Sequence, residues 1–130
     1  MQAPGANLKI NGARLWDSLT DMAKIGPGIA GGNNRQTLTD ADSAGRHLFA
    51  GWCKEAGCLI GVDSMGNMFA RREGTDAEAL PVYMGSHLDT QPTGGKYDGV
   101  LGVLGAGGGA VTERPWDQDP ASDCGDQLDQ

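Results

Sequence analysis

The chain has 130 residues, of which 22 are glycine, and its 17 acidic and 10 basic side chains give a formal net charge of −7. This length fits one domain or part of one, and the charge argues against nucleic acid and anionic membranes as partners, because such binders need basic patches. No segment resembles a signal peptide or a membrane span, and the three cysteines form no CxxC pair. We therefore expect a cytoplasmic protein with reduced thiols.

Two amphipathic helices are predicted in the first half of the chain. Apolar residues at helical spacing predict a helix over about residues 13–24. Residues 25–34 carry four glycines and are expected to form a mobile loop, because glycine backbone loses much entropy when it is ordered. Thr39 stands three residues before Asp42 in a pattern close to a capping box, and an apolar stripe then predicts a second helix over about residues 40–56.

Short extended runs follow the helices. The apolar run 58–62, the turn residues 64–67 and the run 68–72 together predict a β-hairpin. The apolar run 80–84 predicts a buried strand whose C-terminal end presents polar groups, and ligands bind at that end of α/β sheets. The order helix, helix, hairpin, strand and glycine loop predicts an α/β fold.

The densest chemistry lies in residues 85–99, GSHLDTQPTGGKYDG. His87 and Asp89 are two residues apart, so their side chains project to the same side of an extended backbone, where they can share a metal or act as a ligand and its orienting partner. Asp98 follows, and the flexible glycines 94 and 95 let the chain return it to the same point. The alternative is structural, with His87 capped by Asp89 and with Asp98 starting the next helix.

A known family shares the pattern of this segment. The run SHLDTQPTGGKYDGVLGVLGA resembles the metal-binding segment of the zinc-dependent carbamoylase/hydantoinase-type amidases, which include N-carbamoyl-L-amino acid hydrolases, β-ureidopropionases and allantoate amidohydrolases. The resemblance also covers VDSMGNMFARREGTD upstream and spans about residues 7–106. It implies that residues 1–106 form the N-terminal portion of an α/β catalytic domain of the zinc-exopeptidase (aminoacylase/carboxypeptidase) type, with an incomplete sheet.

The resemblance also implies roles for the three site residues and a reaction. His87 would ligate one metal ion, Asp98 would bridge two, and Asp89 would orient His87. The cofactors would be two divalent ions, zinc or else manganese or cobalt, which lower the pKa of a shared water for attack on the carbonyl carbon. The substrate would be a small N-carbamoyl or ureido compound, such as an N-carbamoyl-L-amino acid or β-ureidopropionate. Family members form homodimers through an inserted domain that this sequence lacks.

The tail departs from the family pattern. From about residue 105 the sequence becomes rich in glycine and then in Asp and Gln, which is typical of disordered chain. The family's Glu pair, which supplies the general base, has no counterpart there. One permitted back-translation of residues 115–130, read one nucleotide later, gives LGIKTRHPIVVINWTN, which resembles the strand before that pair. We therefore expect residues 107–130 to be an out-of-frame, disordered tail, and the chain to be a truncated, non-enzymatic remnant with at most weak metal binding.

A different interpretation of the tail would make the protein a nucleotide-binding module. The run from Gly105 to Ala110, GAGGGA, matches the GxGxxA variant of the dinucleotide fingerprint, with VLGVL before it as a possible strand. This interpretation needs a following helix and a second strand, which Pro115 and Pro120 oppose because proline interrupts both. The metal site is therefore the favoured hypothesis.

The out-of-frame hypothesis predicts the DNA sequence past the stop codon. Translated in the alternate frame from between codons 104 and 107, the gene is expected to continue through a buried strand into an NEEG-like segment. Sequencing of the locus and of its transcript measures this directly. An alternate frame that runs on without a pair of adjacent glutamates would contradict the hypothesis.

Overall fold

The computed structural model describes residues 10–110, and for residues 107–110 it describes the backbone alone. The described part is α/β, with three helices and one antiparallel hairpin. In chain order the elements are α1 (Gly12–Ala23), α2 (Asp40–Glu55), β1 (Leu59–Val62), β2 (Met68–Arg71) and α3 (Val100–Ala110). A short 3-10 turn (Ile29–Gly31) lies in the loop between α1 and α2. In the hairpin, Leu59 pairs with Arg71 and Val62 with Met68.

Both predicted helices are confirmed, and each begins at a side-chain cap. The side-chain oxygen of Asn11 accepts a hydrogen bond from a backbone N–H in the first turn of α1. The Thr39 hydroxyl accepts from the N–H of Asp42, and the Asp42 carboxylate accepts in return from the N–H of Leu38 at 3.1 Å. This return bond reaches one residue further back than in a standard capping box. A pair of Schellman hydrogen bonds closes α2 at Gly57, whose φ is +80°.

The core lies between α1 and α3, with α2 against its side. Its buried apolar residues in the described part of the chain are Leu19, Met22, Val100 and Leu104. Partly buried apolar side chains close around them: Leu15, Ile25, Leu48, Phe49, Trp52, Leu88 and Tyr97. The rings of Trp16 and Tyr97 lie 5.5 Å apart between centroids, which joins α1 to the loop before α3. This packing fixes the start of α3 and therefore the position of Asp98.

The predicted hairpin is confirmed, and Asp63 holds its turn. The Asp63 carboxylate accepts hydrogen bonds from the backbone N–H groups of Met65 and Asn67 and from the Asn67 side-chain amide, at 2.8–2.9 Å. These hydrogen bonds lower the pKa of Asp63 because they favour the charged carboxylate, and the bond from the Asn67 side-chain amide has the largest effect. Gly66, with φ of +87°, completes the turn.

The predicted strand over residues 80–84 is wrong. The structure assigns no strand there, and the side chains of Val82, Tyr83 and Met84 are exposed. A strand needs a neighbour to pair its backbone N–H and C=O groups, and in the part of the chain that the structure describes β1 and β2 pair only with each other. The apolar run would become a buried strand only beside a neighbour from outside residues 10–110.

The predicted loop 25–34 is confirmed, but it is not the unpacked segment that its glycines suggest. Asn33 and Arg35 are fully buried at its end. The Asn33 amide donates to the carbonyls of Ala23, Ile25 and Gly26 at 2.9–3.0 Å, and the Arg35 guanidinium donates to those of Met22, Ile25 and Leu88 at 2.7–3.0 Å. Two buried polar side chains therefore donate hydrogen bonds to backbone carbonyls of this glycine-rich loop and hold it in place.

The predicted tail lies mostly beyond the described residues. Helix α3 extends through Ala110, so residues 107–110 are helical, and residues 111–130 lie outside the described part. The run VLGVL, which the nucleotide-binding interpretation requires as a strand, is the first half of α3, so that interpretation is wrong. Within residues 10–110 no helix combines the length and apolarity needed to cross a membrane.

Replacing Arg35 by methionine is expected to lower the free energy of unfolding by about 3 kcal/mol or more, because three hydrogen bonds from a buried charged donor are lost, each worth about 1.5–3 kcal/mol. Urea unfolding followed by tryptophan fluorescence measures this. The matched control is Lys24→Met, which removes an exposed ion pair with Asp21 (2.6 Å) and should change stability by less than about 1 kcal/mol. Equal losses in the two variants would contradict the structural role of Arg35.

Candidate metal centre

His87 lies in the extended segment that precedes the glycine loop. Its Nδ1 atom is 2.9 Å from the backbone carbonyl oxygen of Asp89 and 3.4 Å from the Asp89 carboxylate Oδ1. A carbonyl oxygen only accepts hydrogen bonds, so the neutral imidazole carries its proton on Nδ1 and its Nε2 keeps a free lone pair. The His87 side chain is 52% exposed. The ring therefore has a nitrogen free to bind a metal ion.

Gly99 brings the His87 ring to the start of α3. The φ of Gly99 is +70°, and a Cβ atom at this position would overlap the imidazole. Ser86 lies in the same way on Gly102, where a Cβ atom would come within 2.7 Å of the serine Cβ. The absence of two side chains thus lets residues 86 and 87 lie directly on the first turn of the helix. Asp98 is the residue before Gly99, so the His87 ring lies against the chain neighbour of the second candidate ligand.

The Asp98 carboxylate is exposed and makes no hydrogen bond or ion pair with any residue in the 10–110 range. It is the backbone carbonyl of Asp98 that accepts, from the N–H of Val100 at 2.8 Å. The structural alternative, in which the Asp98 side chain caps α3, is therefore not seen among the described residues. The carboxylate is left available to a cation.

The Asp89 carboxylate is held between groups from two distant parts of the chain. Its Oδ2 accepts a hydrogen bond from the Thr37 hydroxyl at 2.9 Å, while its Oδ1 faces His87. Burial lowers the pKa of the Arg35 guanidinium, and the nearby carboxylates of Asp42 and Asp89 raise it. Asp89 therefore lies in the field of a buried cation on one side and beside the candidate ligand on the other.

The candidate ligands in the described residues are too few to form a metal centre by themselves. They contain no cluster of three or more His, Cys, Asp or Glu side chains that could hold a metal ion. One imidazole and one carboxylate suit zinc, manganese or cobalt chemically, but catalytic zinc usually keeps three protein ligands. His87 and Asp98 are chemically suitable ligands for such an ion, and a complete centre needs further ligands from outside residues 10–110. The second histidine, His47, is exposed on α2 and lies 2.8 Å from the Ser43 carbonyl oxygen.

Sequence reasoning missed the residues that connect this site to the core. Arg35 and Thr37 lie about fifty positions before His87, in a loop without periodicity. One signal was available for Arg35, since it is the only charged residue between Lys24 and Asp40. A lone charge within a glycine-rich loop suggests a buried partner network. No local signal distinguishes Thr37 from other loop threonines.

The comparisons with known proteins point to one group of enzymes. The chain is 72% identical over 104 residues to an N-carbamoyl-L-amino-acid amidohydrolase of Rhizobium meliloti, which covers 80% of this chain and 25% of that protein. It is 44% identical over 92 residues to a ureidoglycolate hydrolase of Oryza sativa subsp. japonica, covering 71% and 19%. A crystal structure of a hydantoinase/carbamoylase family amidase from Burkholderia ambifaria matches with a TM-score of 0.74 at 61% identity, covering 76% and 24%. No protein-family model matches.

By their names, the proteins that this α/β segment matches form one class, the amidohydrolases. Within that class, the chain belongs to the hydantoinase/carbamoylase family of amidases, and the resemblance inferred from its sequence is confirmed. The chain spans about a quarter of the length of the curated relatives it matches.

Gly99→Ala is expected to displace the His87 ring and to lower the free energy of unfolding by about 1 kcal/mol or more, because the Cβ atom overlaps the imidazole and φ is positive. NMR of the His87 ring and thermal unfolding measure the two effects. The matched control is Gly105→Ala on the same helix, where a Cβ atom meets nothing within 4 Å and should stabilise α3 by about 0.5–1 kcal/mol. Unshifted His87 resonances in Gly99→Ala would contradict the close contact.

Proposed function

We propose that this segment contributes part of a dinuclear metal centre to an enzyme that hydrolyses linear amide or ureide C–N bonds. The observation that carries the proposal is the contact of His87 with Gly99, beside Asp98, in a segment shared with amidases of the family. His87 would offer Nε2 to one ion, Asp98 would offer its carboxylate to both, and Asp89 would hold the His87 proton on Nδ1. The roles of these three residues come from the resemblance and are supported by their placement.

The side chains of the segment prepare for this chemistry in different ways. Two divalent ions, zinc or else manganese or cobalt, would when bound polarise the substrate carbonyl and lower the pKa of the attacking water. The Asp89 carbonyl and carboxylate oxygens lie at the Nδ1 edge of the His87 ring and orient it, which leaves Nε2 for the ion. Asp98 carries a charge that no partner among the described residues neutralises. The general base and the remaining ligands are assigned to parts of the enzyme outside residues 10–110.

The proposed substrate is an N-carbamoyl-L-amino acid. The support is the 72% identity to a protein named for that substrate, against 44% to a ureidoglycolate hydrolase. Both kinds of substrate carry a ureido group, so attack on the same carbonyl carbon would serve either. They differ in the atoms beyond that group, and side chains outside the described segment would distinguish them. β-Ureidopropionate and allantoate carry the same ureido group and belong to the same class of proposed substrates.

A second proposal concerns the 130-residue chain by itself. Its described part offers two candidate ligands, His87 and Asp98, where a catalytic zinc usually has three. The apolar side chains at positions 80 and 82–84 are exposed together, which is typical of a surface that another part of a protein covers. We infer that this chain binds metal weakly and does not turn over substrate, and that residues 107–130 are an out-of-frame tail. The homodimer of the family is proposed for the whole enzyme only.

Cobalt titration of the chain, followed by visible absorption and calorimetry, tests the metal role. His87→Ala and Asp98→Asn are each expected to weaken Co²⁺ binding by about tenfold or more, because each removes a ligand, whereas the matched control His47→Ala should leave it unchanged. Binding that survives the loss of both His87 and Asp98 would contradict the proposed centre.

The same samples test the absence of turnover. Ammonia release from N-carbamoyl-L-amino acids and from ureidoglycolate is expected to stay at background for the wild-type chain with Co²⁺ or Zn²⁺. Hydrolysis that chelators and His87→Ala both abolish would overturn the second proposal while supporting the first.

A further inference from the structure

Thr37 lies where the loop before α2 meets the segment that carries His87. Its hydroxyl donates to Oδ2 of Asp89 at 2.9 Å, across a separation of 52 residues in the chain. The other carboxylate oxygen of Asp89 faces His87 Nδ1 at 3.4 Å. The Asp89 carboxylate therefore accepts from Thr37 with one oxygen and lies near the candidate metal ligand with the other, while the Asp89 backbone carbonyl lies 2.9 Å from His87 Nδ1.

Backbone and side-chain hydrogen bonds fix the register of these two segments. The N–H of Arg35 donates to the Thr90 hydroxyl at 2.7 Å, and the N–H of Thr90 donates to the Arg35 carbonyl at 2.7 Å. The Arg35 Nε donates to the Leu88 carbonyl at 3.0 Å. Arg35 and Thr90 are both buried. Because both chain neighbours of Asp89 are bonded to Arg35, Asp89 has one position relative to Thr37.

The backbone at Leu38 is an independent sign that the position of Thr37 is imposed. Leu38 has a φ of +67°, in the left-handed region that branched side chains rarely adopt. Its side chain is 95% exposed, so packing of that side chain does not explain the conformation. Such strain persists only where the surroundings over-determine the backbone. Here the turn at Leu38 lets Thr37 face Asp89 while Thr39 caps α2.

We propose that Thr37 is a positioning residue for the His87 ligand. Its hydroxyl holds the Asp89 carboxylate at the Nδ1 edge of the imidazole, so that Nε2 stays directed toward the metal. The Asp89 side chain is 41% exposed, and without the hydroxyl its carboxylate is free to turn into solvent or toward the ion itself. Loss of a residue that hydrogen-bonds to a metal ligand or its partner commonly weakens metal binding by about tenfold or more, and we expect an effect of that size here. The inference rests on the proposed metal-binding role of His87.

The test compares Thr37→Val, which keeps the shape and removes the donor, with Thr37→Ser, which keeps the donor. In the metal-free chain, three-bond couplings from the Asp89 Cγ to its own backbone nitrogen and carbonyl carbon report the χ1 rotamer. One rotamer is expected in the wild type and in Thr37→Ser, and averaging in Thr37→Val. Co²⁺ affinity is expected to fall about tenfold in Thr37→Val and to return to the wild-type value in Thr37→Ser.

Each outcome decides between the two levels of the proposal. A fixed Asp89 rotamer in Thr37→Val overturns the inference. Unchanged Co²⁺ affinity in Thr37→Val also overturns it; if His87→Ala loses binding in the same assay, the metal role of His87 still stands. Co²⁺ binding that is independent of His87 overturns the metal role, and the metal-free couplings still decide whether Thr37 positions Asp89. Thr37→Ala removes the same donor and replaces Thr37→Val if the latter fails to give a native amide spectrum.

Discussion

The buried guanidinium of Arg35 joins the end of α1, the loop before α2 and the segment that leads to the candidate metal centre. It donates to the backbone carbonyls of Met22, Ile25 and Leu88 at 2.7–3.0 Å. A buried charge costs several kcal/mol unless it is hydrogen-bonded and near opposite charge. These carbonyls and the nearby carboxylates of Asp42 and Asp89 offset part of that penalty, but burial is the larger influence and lowers the pKa of Arg35. Because the bonds come from one planar group, the three segments are fixed relative to one another.

The glycine content has a packing role that follows from this arrangement. At Gly45 of α2, a Cβ atom would come within 2.9 Å of the Arg35 Cδ, so glycine is what admits the guanidinium stem beside the helix. At Gly99 and Gly102 of α3, the missing side chains admit the segment that carries His87. A high glycine content suggests a mobile chain. At these three positions, however, glycine instead allows two segments to approach each other closely.

Local signals predicted the local structure, and long-range contacts account for what they missed. The helices and the hairpin follow from apolar spacing, caps and turn residues, all of which act within a few positions. The run 80–84 has the composition of a buried strand, but its state depends on a partner strand that composition does not reveal. The candidate site segment could be predicted because His87, Asp89 and Asp98 lie close in sequence. Arg35 and Thr37 could not, because their partners are about fifty residues away.

The two candidate ligands differ in how firmly the chain holds them, and the difference suits a dinuclear site. An imidazole offers one directional lone pair, so its ring must be oriented beforehand, and His87 is held by Asp89 at Nδ1 and by Gly99 against its face. A bridging carboxylate must instead adjust to two ions at once. Asp98 has that freedom, since its side chain is exposed and makes no bond among the described residues, while its backbone is fixed at the first turn of α3. On the proposed function, the segment thus combines one preorganised candidate ligand with one adaptable candidate ligand.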